Sequence, residues 1–285
     1  MGFQLWISPN TGIRRKGTTF KELQGIFVVN ITTKFIYEPI YCCRLDDVAI
    51  DVRKTLEDRD FDVIGVINEN EDVFGYALRE ELEDYEVSKF THKIELENIV
   101  SDSTPIIQLL NILSVKSYSF VVESNKIVGI VTRADINKPI VRIYIFGIIS
   151  LFELHLNFWI NEYHKHESWK DKITENRFNE TNELFSKRKG NNEELTLLEC
   201  LQFCDKRDIL KNTNDFIGQF NFSKKAFERL LKDTEKIRNE LAHSQNSIIA
   251  NLDWDRFVTT VSNIESFLHY SEEEVEEKVR LLNKN

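Results

Sequence analysis

Between residues 39 and 139 the apolar positions run through one order twice: a helix-period stretch, a short apolar strand, a polar turn and a second strand. In the first copy, 48–59 predicts a helix, 63–67 a strand, 68–72 a turn and 73–79 the returning strand. In the second, Thr104-Pro105 opens a helix over 106–115, 119–122 is the strand, 123–126 turns and 127–133 returns. Gly75 and Gly129 hold the same place in the two copies, 54 residues apart. From residue 140 the alternation stops and helical spacing takes over, predicting helices over 141–165, 180–185, 193–211, 223–243, 254–270 and 271–282. Ser223 is the expected cap of the fourth, with Phe222 and Phe227 in staple positions, and Phe227, Leu230, Leu231, Thr234, Ile237 and Leu241 mark its buried face. Residues 1–38 read as an N-terminal extension packing on the repeated module, with a strand at Ile26-Phe27-Val28-Val29 after Gly25. The expected fold is an α+β module over 39–139 followed by an all-α bundle over 140–285.

Length supports this division, since 285 residues suffice for two cores. Hydrophobic residues make up 41% of the chain, and four prolines and ten glycines leave little room for long disordered linkers. A net charge of −10 argues against a general nucleic-acid binder and leaves any RNA contact to local patches such as Arg14-Arg15-Lys16 or Lys187-Arg188-Lys189. Cys42-Cys43 and Cys200-x-x-x-Cys204 lack zinc or redox spacing and read as reduced, buried thiols. The start, Met1-Gly2-Phe3-Gln4-Leu5-Trp6, lacks the basic-then-apolar order of an export signal, so a cytoplasmic location is expected. The run over 140–160 approaches membrane-spanning length, but Arg142, Glu153 and His155 interrupt it. The expectation is a buried helix packed by neighbours or a partner subunit, with no membrane involved.

The densest candidate chemistry is Ile237-Arg238-Asn239-Glu240-Leu241-Ala242-His243, near the end of a charged helix. A cation, an amide and an imidazole within about one and a half turns can grip a phosphate and move a proton. Arg238 and His243 equally suit the negative end of a helix dipole. Glu153, a carboxylate on an apolar helix, either orients that site or pairs with a buried cation. His155, His164 and His166 have no carboxylate or cysteine at ligand spacing, so no metal is expected. Thr132 and Asp135, at a strand-to-helix junction, either cap the helix that follows or hold sugar hydroxyls beside a helix start that favours phosphate.

Val128-Gly129-Ile130-Val131-Thr132-Arg133-Ala134-Asp135-Ile136 resembles the closing signature of a CBS domain, and the two copies resemble a CBS pair, or Bateman module. The resemblance implies an adenine nucleotide as regulatory ligand (AMP, ATP or a cyclic oligoadenylate), held by Thr104, Thr132, Arg133 and Asp135. The first copy carries Leu78 and Glu81 where the second has Thr132 and Asp135, so one site is expected, in the second copy.

The pattern Arg-Asn-x-x-Ala-His at Arg238, Asn239, Ala242 and His243, late in the helical segment 140–285, resembles the HEPN superfamily, whose members include ribonucleases of toxin–antitoxin and antiviral defence systems. That resemblance implies a homodimer with one composite cleft, cleavage of RNA without a metal, and 2′,3′-cyclic phosphate ends. Arg238, Asn239, His243 and Glu153 would form the site. The joint implication is a nucleotide-regulated endoribonuclease, with an inhibitory partner protein as a family-level possibility. The other reading is a non-catalytic, adenine-nucleotide-sensing dimeric adaptor or RNA-binding module. No Gly-rich phosphate loop or metal-binding carboxylate set supports a phosphoryl-transfer enzyme.

Overall fold

The computed structural model describes residues 5, 17–191, 193, 195–243 and 247–282, so Arg14-Arg15-Lys16 lies outside the described residues. Two units are resolved, one of residues 27–140 and one joining 1–26 to 141–285. Two helices, α1 (Phe20–Asn30) and α4 (Pro139–Tyr163), run across the division.

In the first unit both copies form as their rhythm predicts. The first contains β1 (Cys42–Arg44), α2 (Ala49–Arg59), β2 (Val63–Ile67), β3 (Val73–Leu78) and β4 (His92–Lys93), joined in the order β1-β2-β3-β4. The second contains β5 (Ile99–Ser101), α3 (Ile106–Val115), β6 (Tyr118–Glu123) and β7 (Lys126–Thr132), in the order β5-β6-β7. In each copy the outer strand pairs parallel and the hairpin antiparallel, as a strand–helix–strand crossover followed by a tight turn requires. β1, β4 and β5 are two or three residues long, too short for any alternation to show.

The glycine pair marks where each sheet receives a crossing segment. Gly75 faces Lys93 across the β3–β4 ladder, and a Cβ on it would lie 2.8 Å from the His92 carbonyl oxygen. On Gly129 a Cβ would lie 2.5 Å from the Glu38 carbonyl oxygen and would strike the Tyr37 ring. Glu38 exchanges backbone hydrogen bonds of 2.8 and 2.9 Å with Ile130, so the stretch ahead of the first copy closes the sheet of the second. Two Cβ-free positions thus let backbone approach backbone.

The second unit is helical: α4, α5 (Glu175–Gly190), α6 (Phe203–Lys211), α7 (Asn214–Gln219), α8 (Lys224–Ala242) and α9 (Trp254–Leu282), with part of α1. α4 is long and apolar enough to cross a bilayer by length and composition, but 61% of its most apolar window is buried among its neighbours. Rings of Phe152, Phe216, Phe220, Phe227 and Phe267 interlock at centroid distances of 4.6–6.4 Å around it.

Several helix boundaries depart from the pattern, each for a local reason. The expected strand at Ile26-Phe27-Val28-Val29 is helical within α1. Thr19 and Glu22 cap its start reciprocally, and the Glu272 carboxylate accepts from the Phe20 and Lys21 amides. Within the expected N-terminal extension, residues 17–26 group with the helical unit and 27–38 with the repeat. The expected helix over 193–211 begins only at Phe203, because Glu199 turns back on Thr196 and Asp205 turns back on Gln202. α5 starts earlier and ends later than the predicted 180–185, capped by Thr174. Ser271 does not start a helix. Its hydroxyl, fully buried inside α9, accepts from the Trp159 indole N–H at 2.6 Å and bonds His155 Nδ1 at 2.7 Å, so 254–282 is one helix.

Candidate functional site

The segment carrying Arg238, Asn239 and His243 is the last turn of α8. Ser223 Oγ accepts from the Ala226 amide at 3.0 Å, and the Phe222 and Phe227 rings stand 5.4 Å apart as the staple. Burial of Phe227, Leu230, Leu231, Thr234 and Ile237 fixes the helix rotation and turns Arg238 and Asn239 to the exposed side. At His243 the backbone leaves helical geometry (φ −107°, ψ 97°) and the imidazole is exposed.

Two residues of α4 grip this turn. Arg142 Nη2 donates to the carbonyl oxygens of Glu240, Leu241 and His243 at 2.9, 3.1 and 3.1 Å, adding partners and positive charge to the C-terminal end of the helix. Glu153 places Oε2 3.8 Å from Arg238 Nη2 and accepts at Oε1 from Lys206 Nζ at 2.6 Å. Lys206, on α6, is only 1% exposed. Burial pulls its ammonium pKa down, and the Glu153 carboxylate works against that shift. Glu199 adds a second carboxylate beside Lys206, and the more exposed cation of the cluster is Arg238, at 43%. An anion approaching from solvent meets a guanidinium already held on its inner side.

Of the four residues that the sequence singles out here, Arg238 and Glu153 are thus brought together, while Asn239 and His243 stand exposed on the same terminal stretch. Glu153 has the buried partner that its position on an apolar helix implies. Arg142 and Lys206 were missed as parts of the site. Arg142 shows in the sequence only as a charge interrupting an apolar run, and nothing distinguishes Lys206 from the chain's other lysines until its burial is known. His155 and His164 bond Ser271 and Thr213 respectively, and His166 sits at a left-handed kink.

A second candidate lies at the β7 exit. Thr132 caps the following turn by accepting at Oγ1 from the Ala134 amide, and Asp135 Oδ2 accepts from the Thr132 amide at 2.7 Å and its hydroxyl at 3.1 Å. Asp135 is 7% exposed and its other oxygen lies 3.0 Å from Lys138 Nζ, which also binds Glu38. Arg133 turns away and donates to the carbonyls of Leu113 and Ser114 at the end of α3. The Thr104 carbonyl accepts from Thr33. Thr132 and Asp135 therefore form one arrangement, whereas Arg133 and Thr104 have separate partners. In the first copy Glu81 meets His92, the residue equivalent to Glu38, without an intervening lysine.

Residues 97–142 match the family model for the CBS domain. No curated protein matches the chain. Among solved structures, the chain is similar to the CBS domains of a transcriptional regulator from Streptococcus pneumoniae, with 21% identity, a TM-score of 0.33, and coverage of 38% of this chain and 97% of that one. It is likewise similar to the CBS-pair protein CBSX2 from Arabidopsis thaliana, with 17% identity, a TM-score of 0.34, and 39% and 95% coverage. A third similar structure is the CBS domain of a bacterial CNNM/CorC family Mg2+ transporter in complex with ATP, with 19% identity, a TM-score of 0.33, and 41% and 92% coverage. The family-level finding is a CBS domain at residues 97–142, joined in the same chain to a helical region.

Proposed function

We propose that this chain is an endoribonuclease, acting as a homodimer without a metal and regulated by an adenine nucleotide at the CBS-type module. The observation that carries the reading is the terminal turn of α8, where an anchored Arg238 stands with Asn239 and His243 on exposed backbone. An RNA 2′-hydroxyl attacks the adjacent phosphorus, giving up its proton to one His243 of the dimer. The bond to the 5′-oxygen breaks, and that oxygen takes a proton from the other His243 in its imidazolium form. The products are a 2′,3′-cyclic phosphate and a 5′-hydroxyl. Arg238 offers paired donors to the phosphate as its charge builds, and Asn239 holds phosphate or imidazole through its amide. Thr132 and Asp135 are the proposed ribose contacts of the nucleotide, with Thr104 and Arg133 completing the set implied by the resemblance. The match of 97–142 to the CBS family supports a sensing role.

The direct test is cleavage of mixed cellular RNA in EDTA by wild type and His243→Ala, with and without AMP, ATP or cyclic oligoadenylate. Wild type is expected to cleave, His243→Ala to be inactive, and one nucleotide to change the rate. Absence of cleavage in all conditions overturns the reading. A second reading, a non-catalytic adenine-nucleotide-sensing adaptor, is favoured by one observation: Arg238 is already paired with Glu153, as a purely structural residue would be. It predicts nucleotide binding without RNA cleavage.

A further inference from the structure

We infer that Arg142 is a positioning residue for His243, an inference that rests on the reading of the α8 end as the cleavage site. His243 follows the last helical residue, where carbonyls lose their intrahelical partners and the backbone is prone to fray. One guanidinium nitrogen, donated from α4, lies within 3.1 Å of the Glu240, Leu241 and His243 carbonyl oxygens. The contact with the His243 carbonyl is the decisive one, because it lies beyond the helix and holds the very residue whose imidazole must face the scissile phosphate. The His243 amide adds a 3.2 Å bond to the Glu240 carbonyl, which Arg142 also binds, so the two bonds close on one another.

The same α4 carries Glu153, which faces Arg238. Arg238 is thus held through its side chain and His243 through its backbone, both from one helix, and the separation between guanidinium and imidazole is set by how α8 seats on α4. Arg142 is also the last residue of the match to the CBS family. The sequence feature that looked like an interruption of an apolar helix therefore has a task at the site.

The test compares full-length wild type, Arg142→Gln and Arg142→Lys by RNA cleavage and by amide hydrogen exchange. Arg142→Gln is expected to lower kcat by about 10- to 100-fold with KM within about 3-fold, since misplacement of a reacting group by about 1 Å has effects of that size. Its His243 amide is expected to exchange faster while amides in the middle of α8 are unchanged. Arg142→Lys, which keeps the charge and can retain one bond, is expected to recover part of both effects, and it serves as the informative variant if Arg142→Gln does not fold. Wild-type kcat together with wild-type His243 exchange in a folded Arg142→Gln overturns the inference. If wild type leaves RNA intact, the cleavage reading falls by itself, and the exchange data still decide whether Arg142 anchors His243.

Discussion

A lysine ammonium that is 1% exposed costs far more to bury than a surface one and persists only when a carboxylate meets it closely. Lys206 meets Glu153 at 2.6 Å, while the second cation, Arg238, lies at 3.8 Å and faces solvent. Lys206→Met removes the near partner and leaves a mostly buried carboxylate without its closest donor. It should destabilise the protein by about 3 kcal/mol in chemical denaturation. Lys206→Met combined with Glu153→Leu should recover most of that loss, because replacing both members of a buried pair by apolar groups is close to neutral. An unchanged midpoint in the single variant would mean that the pair contributes nothing. Glycine gives a second residue-scale expectation. Gly129→Ala drives a methyl into the Glu38 carbonyl and the Tyr37 ring, and a loss of about 2–3 kcal/mol is expected, read from thermal unfolding. The glycine repeat is visible in the sequence, but what crosses it is not, because Glu38 lies far away along the chain.

At the scale of elements, legibility followed the strength of the period. α3 and β2 occupy the predicted residues, and α2, β3, β6, β7 and α8 match to within a residue or two, since each has an unbroken apolar rhythm and a clear stop. The departures arise where a single side chain has two possible tasks. Ser271 carries the signature of a helix cap, yet its hydroxyl bonds Trp159 and His155 inside an unbroken helix. Apolar, β-branched residues in α1 suggest a strand, yet caps from Thr19, Glu22 and the remote Glu272 hold a helix. The candidate site divides the same way. Arg238, Asn239 and His243 are readable as a local pattern, whereas Arg142 and Lys206 belong to the site through contacts spanning 99 and 53 positions. Those distances carry no sequence signal.

For the molecule as a whole, stability in the helical unit should depend on acid through a histidine outside the proposed site. Burial pushes the His155 pKa down to about 3, against about 6.5 in an unfolded chain. Below pH 6.5 the unfolded state takes up a proton that the folded imidazole refuses. His155 therefore costs stability as pH falls towards 3, at about 1.4 kcal/mol per pH unit. Glu265 and Glu272, whose carboxyls burial pushes up, act in the opposite sense, so the quantity to measure is the difference between wild type and His155→Gln. The wild-type curve should fall more steeply between pH 6 and 4, and parallel curves would contradict a neutral, buried imidazole.

The crossing at Gly129 has one more consequence, for how the chain reaches its native state. The second copy does not own the edge of its sheet. The edge is supplied by residues before the first copy, and Glu38 meets Lys138 across 100 positions. Closing so long a loop has an entropic cost before any contact rewards it, so this edge should form late and limit the folding rate of the repeat unit. During synthesis the segment around Glu38 emerges long before its partner strand exists. Until β7 has left the ribosome, the backbone groups of Glu38 have nothing to pair with, and the growing chain must keep them from neighbouring chains.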